Sequence, residues 1–211
     1  MAKKKENEIE IDKLKFEKEE QEKGNFIIAG VDEVGRGPLA GPVCVCAVIM
    51  PFDDLIEGID DSKKISEKKR NMIAEVIKEK AISYSIQMVD ENTIDEINIL
   101  EATKLCMKKA IEGLTIKPDV VLVDAIGKLD VDVPIRGIIK GDMQSYSIGA
   151  ASILAKVTRD NYMVKISKKY PEYGFEKHKG YGTKAHIEVL KEIGPCEYHR
   201  LSYLKFLDEN K

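Results

Sequence analysis

Residues 29–43 read AGVDEVGRGPLAGPV and join two apolar runs through a glycine-rich turn. This stretch closes an apolar run that starts at Phe26 and ends on the acidic pair Asp32-Glu33, and it opens a second run, VCVCAVIM, that Pro51 ends. Both runs have the length and the β-branched content of buried strands. Because only a short glycine-rich turn separates them, the two strands are predicted to be antiparallel neighbours.

The composition predicts a globular protein with one substantial domain. The chain has 211 residues, of which 43% are apolar and 34% charged, and its net charge is -3. This length suffices to bury a sizeable core. Residues 1–24 mix both charge signs and contain few apolar side chains. We therefore expect a charged N-terminal extension outside the main fold, followed by the main domain over residues 25–211.

The sequence also bears on the cellular compartment. No apolar run approaches the roughly 20 residues of a membrane helix, and the Lys/Glu-rich start is unlike a signal peptide. The four cysteines form no CxxC pair, which predicts neither a zinc site nor disulfides. Cys44 and Cys46 fall on one face of the second strand, as small core residues would. These features predict a cytoplasmic protein without a membrane partner.

Further strands and helices follow along the chain. Ser66 is a credible N-cap for a helix that ends near residue 80. Strands are predicted for AISYSIQMV at 81–89, DVVLVDA at 119–125 and VPIRGIIKGD at 133–142, and helices for residues 93–114, 144–168, 183–193 and 202–210. This order indicates an α/β sheet layered by helices.

Three apolar runs end on acidic residues. IIAGVDE, VVLVDA and IIKGD end at Asp32-Glu33, Asp124 and Asp142. A carboxylate where a strand leaves the core is costly unless a cation or hydrogen-bond donors meet it, and parallel strands bring such ends to one edge. Carboxylate oxygens favour Mg²⁺ or Mn²⁺, and two such ions about 4 Å apart would clamp a phosphodiester. The alternative is that each acid only caps a turn or a helix.

The glycine turn partly matches a dinucleotide-binding fingerprint, with Gly35, Gly37 and Ala40 in the G-x-G-x-x-[G/A] spacing. Pro38 inside the loop and a strand instead of a helix after it count against a nicotinamide-dependent oxidoreductase. What remains is a turn that lets backbone approach a ligand closely, with Arg36 in its middle. A tight hairpin with an incidental arginine is the alternative.

The C-terminal quarter is locally basic: residues 156–205 hold eleven Lys/Arg and six acids. On the predicted helix 144–168, side chains at steps of three and four form one face that could follow phosphates, or could simply be solvated. These residues are Ser145, Gly149, Ser152, Lys156 and Arg159. In YGFEKHKGYGTKAH, from residue 173, Tyr181 lies between two glycines that would expose its ring for stacking, although aromatic residues here could equally be structural.

Taken together, the segments resemble bacterial ribonuclease HII over residues 26–206. They are GVDEVGRGPLAGPV, DDSKK, VLVDA, KGD, AASILAKVTRD and YGFEKHKGYGTKAH, followed by HR. The resemblance implies a ribonuclease H-like fold, with a mixed five-stranded sheet flanked by helices and a helical C-terminal part. It implies a monomeric endonuclease that cuts the RNA strand of RNA–DNA hybrids and cuts 5′ of single ribonucleotides in duplex DNA, leaving 3′-hydroxyl and 5′-phosphate ends. A hybrid-binding protein without catalysis is the rival interpretation.

The resemblance also assigns roles to residues. Asp32, Glu33, Asp124 and Asp142 become the catalytic ligands of two Mg²⁺ or Mn²⁺ ions. The Gly35-Arg36-Gly37 turn reads the ribose 2′-hydroxyl, Tyr181 stacks on the deoxyribose 3′ of the ribonucleotide, and Lys63 binds a phosphate. Together with Ser152, Lys156 and Arg159 on the helix face, these residues make up the expected substrate-binding surface.

Overall fold

The computed structural model describes residues 12–59, 65–124 and 128–207. Within them, five strands form one mixed sheet in the order β3-β2-β1-β4-β5. The strands are β1 (Ile28–Val34), β2 (Val43–Ile49), β3 (Ser83–Val89), β4 (Val120–Asp124) and β5 (Ile135–Ile138). β1 and β2 pair antiparallel, as the short turn between them predicts, whereas β4 pairs parallel with both β1 and β5. The predicted fold class is confirmed.

Seven helices accompany the sheet in the described residues. They are α1 (Lys15–Glu22), α2 (Glu67–Lys80), α3 (Glu91–Glu112), α4 (Gly141–Gln144), α5 (Tyr146–Lys169), α6 (Phe175–His178) and α7 (Lys184–Ile193). The predicted N-cap of α2 is confirmed, since the Ser66 side chain accepts a hydrogen bond from the Lys69 N–H. α3 differs from the single helix predicted: Asn98 has a φ of 66°, and its side chain accepts from the N–H groups of Leu100 and Glu101, which restarts the helix.

The core has one layer on each face of the sheet. α3 covers one face through residues such as Cys106 and Met107, and α2 and α5 cover the other. Cys44 and Cys46 are fully buried, as predicted. A separate apolar cluster holds the C-terminal part together and includes Met163 of α5 and Phe175 of α6.

The position of α5 depends on a glycine in β1. A Cβ on Gly30 would lie 2.1 Å from the carbonyl carbon of Ser147, so only glycine lets the first turn of α5 approach the strand this closely. Ser152 follows Ser147 by five residues, which is a rise of about 7.5 Å along the helix. Asp32 follows Gly30 by two residues, which is a rise of about 6.6 Å along the strand. Ser152 of α5 therefore reaches the level of Asp32 on β1.

The charged N-terminal extension is not wholly outside the fold. α1 buries Glu17, whose Oε1 accepts hydrogen bonds from the Ser145 hydroxyl (2.6 Å) and the Ser147 N–H (3.0 Å) at the start of α5. A carboxylate is stabilised there by the otherwise unpaired N–H groups of the first helical turn. Arg136 on β5 ties α1 to the sheet edge through Glu19 and Glu20. Residues 1–11 lie outside the described part.

The last predicted helix, over residues 202–210, is wrong for the residues described. Two short 3-10 turns, Leu201–Tyr203 and Lys205–Leu207, take its place, because Asp95 on α3 accepts from the N–H groups of Leu201 and Ser202 and fixes a bent backbone. No helix in the three described ranges combines the length and apolarity that crossing a bilayer requires.

Candidate active site

The four predicted acids line one cavity at the edge of the sheet. Its volume is about 210 Å³. Asp32 and Glu33 come from β1, Asp124 ends β4, and Asp142 lies in α4. The remaining lining residues are Val34, Ser152, Lys156 and Tyr181. The expectation that strand ends bring carboxylates together agrees with this geometry for the acids on β1 and β4.

Strand register explains how β1 and β4 bring their acids together. The strands run parallel, and Val31 pairs with Val123. The next residues, Asp32 and Asp124, therefore stand side by side where the two strands leave the core. Side chains two residues apart share a face of a strand. Asp32 and Asp124 therefore lie on the same face of the sheet as Ile28 and Leu122, the face on which α5 packs.

Asp142 reaches the cavity by another route than predicted. β5 ends at Ile138, and Asp142 lies in the first turn of α4 rather than at a strand end. Lys140, with a φ of 55°, turns the chain back, and the Gly141 N–H donates to Asp124 Oδ1 over 3.0 Å. This hydrogen bond couples the end of β4 to α4 and places Asp142 beside the other acids.

Burial and mutual repulsion oppose ionisation of the acids on β1. Burial, followed by the neighbouring Glu33 charge, holds the pKa of Asp32 well above its usual range, although a hydrogen bond from Ser152 opposes this. Burial also raises the pKa of Glu33, against the lowering effect of Arg36, whose Nη1 lies 3.3 Å from Glu33 Oε1. A divalent cation between such carboxylates would stabilise their charged forms.

The donor set fits such a cation. Among the described residues, the cavity is lined by four carboxylates and one lysine but by neither histidine nor cysteine. Carboxylate oxygens suit Mg²⁺ and Mn²⁺ rather than Zn²⁺. In the described ranges, no group of three or more His, Cys, Asp or Glu side chains is placed to hold a metal ion by itself. Mg²⁺ usually keeps several waters and takes only one or two carboxylates together with substrate phosphate oxygens. An open, acid-lined cavity therefore suits it.

Three predicted substrate-binding residues also lie at the cavity. Ser152 is buried beside Asp32, and Tyr181 leaves 41% of its surface exposed at the rim. Lys156 pairs with Asp160 over 2.8 Å, one helical turn further along α5. α5 thus presents a hydroxyl and an ammonium group to the side of the cavity opposite the strands.

The glycine turn leaves the cavity directly after Val34. Gly35 has a φ of 94°, and a Cβ there would lie 2.2 Å from Arg159 Nε, so the fold itself requires glycine. Gly37 differs, because its backbone is not left-handed and a Cβ added to it would meet nothing within 4 Å. Arg36 and Gly37 are both exposed. The protein around Gly37 therefore gives no steric reason for a glycine.

Arg159, one of the predicted substrate-binding residues, does not lie at the surface. The prediction that Arg159 lies on an exposed helix face is wrong: its side chain is fully buried and donates to the carbonyl oxygens of Pro42, Lys179 and Ala40. α5 crosses the centre of the molecule, so even its small and basic face is covered. Lys63 lies outside the described residues.

The segment around Tyr181 contains positioning residues that the sequence did not identify. His186 Nδ1 lies 2.9 Å from the Tyr181 carbonyl oxygen, and its Nε2 lies 3.0 Å from Nε2 of His199. His199 Nδ1 accepts from the Cys196 N–H. The hydrogen bonds therefore run from His199 to His186, and from His186 to the Tyr181 carbonyl oxygen. Tyr173 and Phe175 stack on each other in the interior, so among these aromatic residues Tyr181 is the one at the cavity.

Comparison with known proteins places these features in a family. The model of the ribonuclease HII family matches residues 29–206. The ribonuclease HII of Caldicellulosiruptor bescii is 58% identical over 192 residues, which cover 90% of this chain and 93% of the relative. That of Caldicellulosiruptor saccharolyticus is 56% identical over 197 residues, covering 92% and 96%.

A solved structure agrees in fold. The crystal structure of ribonuclease H2 from Pyrococcus horikoshii superposes with a TM-score of 0.74 at 27% identity, covering 87% of this chain and 97% of that one. The chain therefore belongs to the ribonuclease HII family, whose members are divalent-metal-dependent hydrolases that cleave the RNA strand of RNA–DNA hybrids.

Proposed function

We propose that this enzyme also incises duplex DNA on the 5′ side of a single embedded ribonucleotide, and that it uses two Mg²⁺ or Mn²⁺ ions to leave 3′-hydroxyl and 5′-phosphate ends. The observation that carries the proposal is the cavity in which four carboxylates meet, flanked by Tyr181 and continued by the Gly35-Arg36-Gly37 turn. The same geometry supports a monomeric enzyme, because one chain supplies all of these groups.

The carboxylates would do the chemistry. Asp32, Glu33 and Asp124 are the main candidates for holding the ions, and Asp142 completes the second position. When bound, two divalent ions activate water on one side of a phosphodiester and stabilise the leaving oxygen on the other. Ser152 keeps the Asp32 carboxylate oriented, and Lys156 supplies a positive charge for a phosphate at the cavity.

The turn would recognise the sugar. The 2′-hydroxyl is what distinguishes RNA from DNA at one position, and sensing it requires backbone to approach the ribose closely. Gly37 is exposed and surrounded by open space. Its missing side chain is therefore best explained by room for a substrate.

A methyl group at Gly37 should then harm activity but not folding. We expect Gly37→Ala to lower kcat/KM on a duplex with one ribonucleotide about five- to tenfold, since a contact group displaced from a sugar hydroxyl loses about one hydrogen bond. The thermal midpoint should change by less than about 2 °C. Gly137→Ala is the matched control, because that glycine on β5 is equally open and not left-handed. Full activity of Gly37→Ala would contradict the proposed role of the turn.

Tyr181 should matter most where a ribonucleotide meets DNA. We expect Tyr181→Ala to lower the cleavage rate at a single-ribonucleotide site more than on a long hybrid, because the contact with the deoxyribose exists only at the junction. Stacking of an aromatic side chain on a base, for comparison, is worth about 1–3 kcal/mol. Tyr84→Ala on β3 is a control of matched exposure, 40% against 41%. Equal losses on both substrates would remove the junction-specific role of Tyr181.

One cleavage assay tests the whole proposal. A duplex with one ribonucleotide is incubated with Mg²⁺, Mn²⁺ or EDTA, and the cut is mapped at nucleotide resolution. A metal-dependent cut on the 5′ side of the ribonucleotide supports the proposal. Binding without products under all three conditions would favour a non-catalytic hybrid-binding protein. Cytoplasmic location and the monomeric state remain predictions that cell fractionation and sedimentation can test.

A further inference from the structure

Two arginines are buried beneath the glycine turn. Arg159 on α5 and Arg200, shortly after α7, both have side chains that are 0% exposed. In the described part of the chain, the hydrogen bonds of both guanidinium groups end on backbone carbonyl oxygens and not on carboxylates. Burying an unpaired charge is costly, so these two positive charges call for an explanation beyond packing.

The hydrogen bonds of Arg200 concentrate on the turn. Its Nη2 donates to the Gly35 carbonyl over 2.6 Å, its Nη1 to the Arg36 carbonyl over 2.9 Å, and both its Nε and Nη2 to the Gly41 carbonyl. The Tyr203 hydroxyl adds a second bond to the Arg36 carbonyl, over 3.0 Å. The turn is thus held from below through its carbonyl groups.

Arg159 braces the same turn from α5. It donates to Ala40 and Pro42 at the far end of the turn and to Lys179 in the segment that leads to Tyr181. Gly35 packs directly against the guanidinium group of Arg159, because a Cβ built on Gly35 would lie 2.2 Å from Arg159 Nε. The two arginines therefore fix both ends of the turn and connect it to the loop that carries Tyr181.

Peptide geometry gives this arrangement a direction. In a trans peptide, the N–H points away from the carbonyl of the same unit. The peptide unit that carries the Gly35 carbonyl also carries the Arg36 N–H, and the unit with the Arg36 carbonyl carries the Gly37 N–H. Both carbonyls are bound to Arg200 on the inside, so these two N–H groups point outward. The residues that carry them, Arg36 and Gly37, are exposed.

We propose that Arg200 and Arg159 are positioning residues for ribose recognition. Arg200 binds the Gly35 and Arg36 carbonyls and thereby aims and polarises the Arg36 and Gly37 N–H groups toward the sugar 2′-hydroxyl. Arg159 braces the far end of the turn through Ala40 and Pro42. This rests on the proposed function of the turn. A carbonyl bound to a cation makes the N–H of its peptide a stronger donor, because hydrogen bonds in a chain polarise one another. The charge of the arginines, and not only their shape, thus contributes to recognition.

Both arginines keep their charge at neutral pH although burial opposes it. Burial, with the neighbouring Arg200 charge, lowers the pKa of Arg159 to about 10, which leaves it protonated at neutral pH. Burial also lowers the pKa of Arg200, but a guanidinium group does not lose its proton in proteins. Glu91 at the start of α3 is the acid that interacts with both, but burial raises its pKa to about 7. Near neutral pH Glu91 therefore compensates only part of the charge. Asp160 near Arg159, Asp95 near Arg200 and the carbonyl groups of the turn contribute the rest.

The test is the discrimination between two duplexes that differ by one 2′-hydroxyl. In an Asp124→Asn background, where cleavage is suppressed, Kd is measured for an all-DNA duplex and for the same duplex with one ribonucleotide. We expect Arg200→Met to reduce the ratio of the two Kd values roughly tenfold, the weight of one hydrogen bond to a polarised donor, by weakening binding of the ribonucleotide duplex. Arg200→Lys keeps the charge but cannot span three carbonyls, and should lie between parent and Met variant.

Controls separate positioning from stability. Arg136→Met removes a positive charge that pairs with Glu19 and Glu20 on α1, so its thermal midpoint should fall while its Kd ratio stays that of the parent. A parent ratio near one would contradict the proposed function itself. A clear parent ratio that folded Arg200 variants retain would overturn the positioning role alone. If Arg200→Met fails to fold, Arg200→Lys decides between these outcomes.

Discussion

Replacement of Asp124 by asparagine is expected to abolish cleavage, by roughly a thousandfold or more, while binding to an RNA–DNA hybrid stays measurable. The amide preserves the shape of the side chain and can still accept the Gly141 N–H. It removes the negative charge that would hold a divalent ion, and metal stabilisation of the transition state is worth several kcal/mol. Cleavage is measured on a hybrid and on a duplex with one ribonucleotide, with Mg²⁺ and with Mn²⁺.

The same strand provides the control for this substitution. Asp119 lies just before β4, at the end opposite Asp124, where it accepts from the N–H groups of Phe26 and Ile27. Asp119→Asn should lower stability slightly and leave the cleavage rate unchanged. An Asp124→Asn enzyme that cut at the wild-type rate would remove Asp124 from the proposed metal site.

Replacement of Gly30 by alanine is expected to give the largest loss of stability, about 3 kcal/mol or more, or about 6 °C or more in the thermal midpoint. The added methyl would lie 2.1–2.5 Å from three backbone atoms of Ser147 and Ile148. Backbone cannot move aside as a flexible side chain can, so α5 must shift off β1. Thermal or urea unfolding followed by circular dichroism measures the loss.

A second glycine makes this prediction specific. Gly137 on β5 has open space around its Cβ position, and its alanine variant should unfold within about 0.5 kcal/mol of the wild type. α5 also brings Ser152 to Asp32. The loss of cleavage activity of Gly30→Ala should therefore be larger than the loss of folded protein alone would cause. A Gly30→Ala protein as stable as Gly137→Ala would contradict the close approach of α5 to β1.

The sequence predicted the strands and the acid-lined edge because both depend on local patterns. An apolar run that ends on Asp32 or Asp124 is visible without knowing its neighbours, and parallel pairing then brings the two together. The sequence pattern places Asp142 at a strand end because IIKGD continues an apolar run, whereas the left-handed backbone of Lys140 ends that run early. Such a bend depends on a single residue and leaves little trace in periodicity.

The buried arginines could not be predicted from the sequence. Periodicity assigns the faces of a helix on the assumption that one face is solvated, and α5 has neighbours on nearly every side. Arg159 therefore resembles a surface residue in the sequence. Glu17 resembles a solvated residue for the same reason, since a charged segment gives no sign that an unpaired helix terminus elsewhere will bury one of its carboxylates.

The contact between Arg200 and Gly35 spans 165 residues and has a consequence for synthesis of the enzyme. At about 5–20 residues per second on a ribosome, the arginine follows the glycine by roughly 8 to 33 s. A nascent chain has all four acids long before its glycine turn acquires this anchor. The proposed discrimination between ribose and deoxyribose thus depends on a residue that is translated after all four acids.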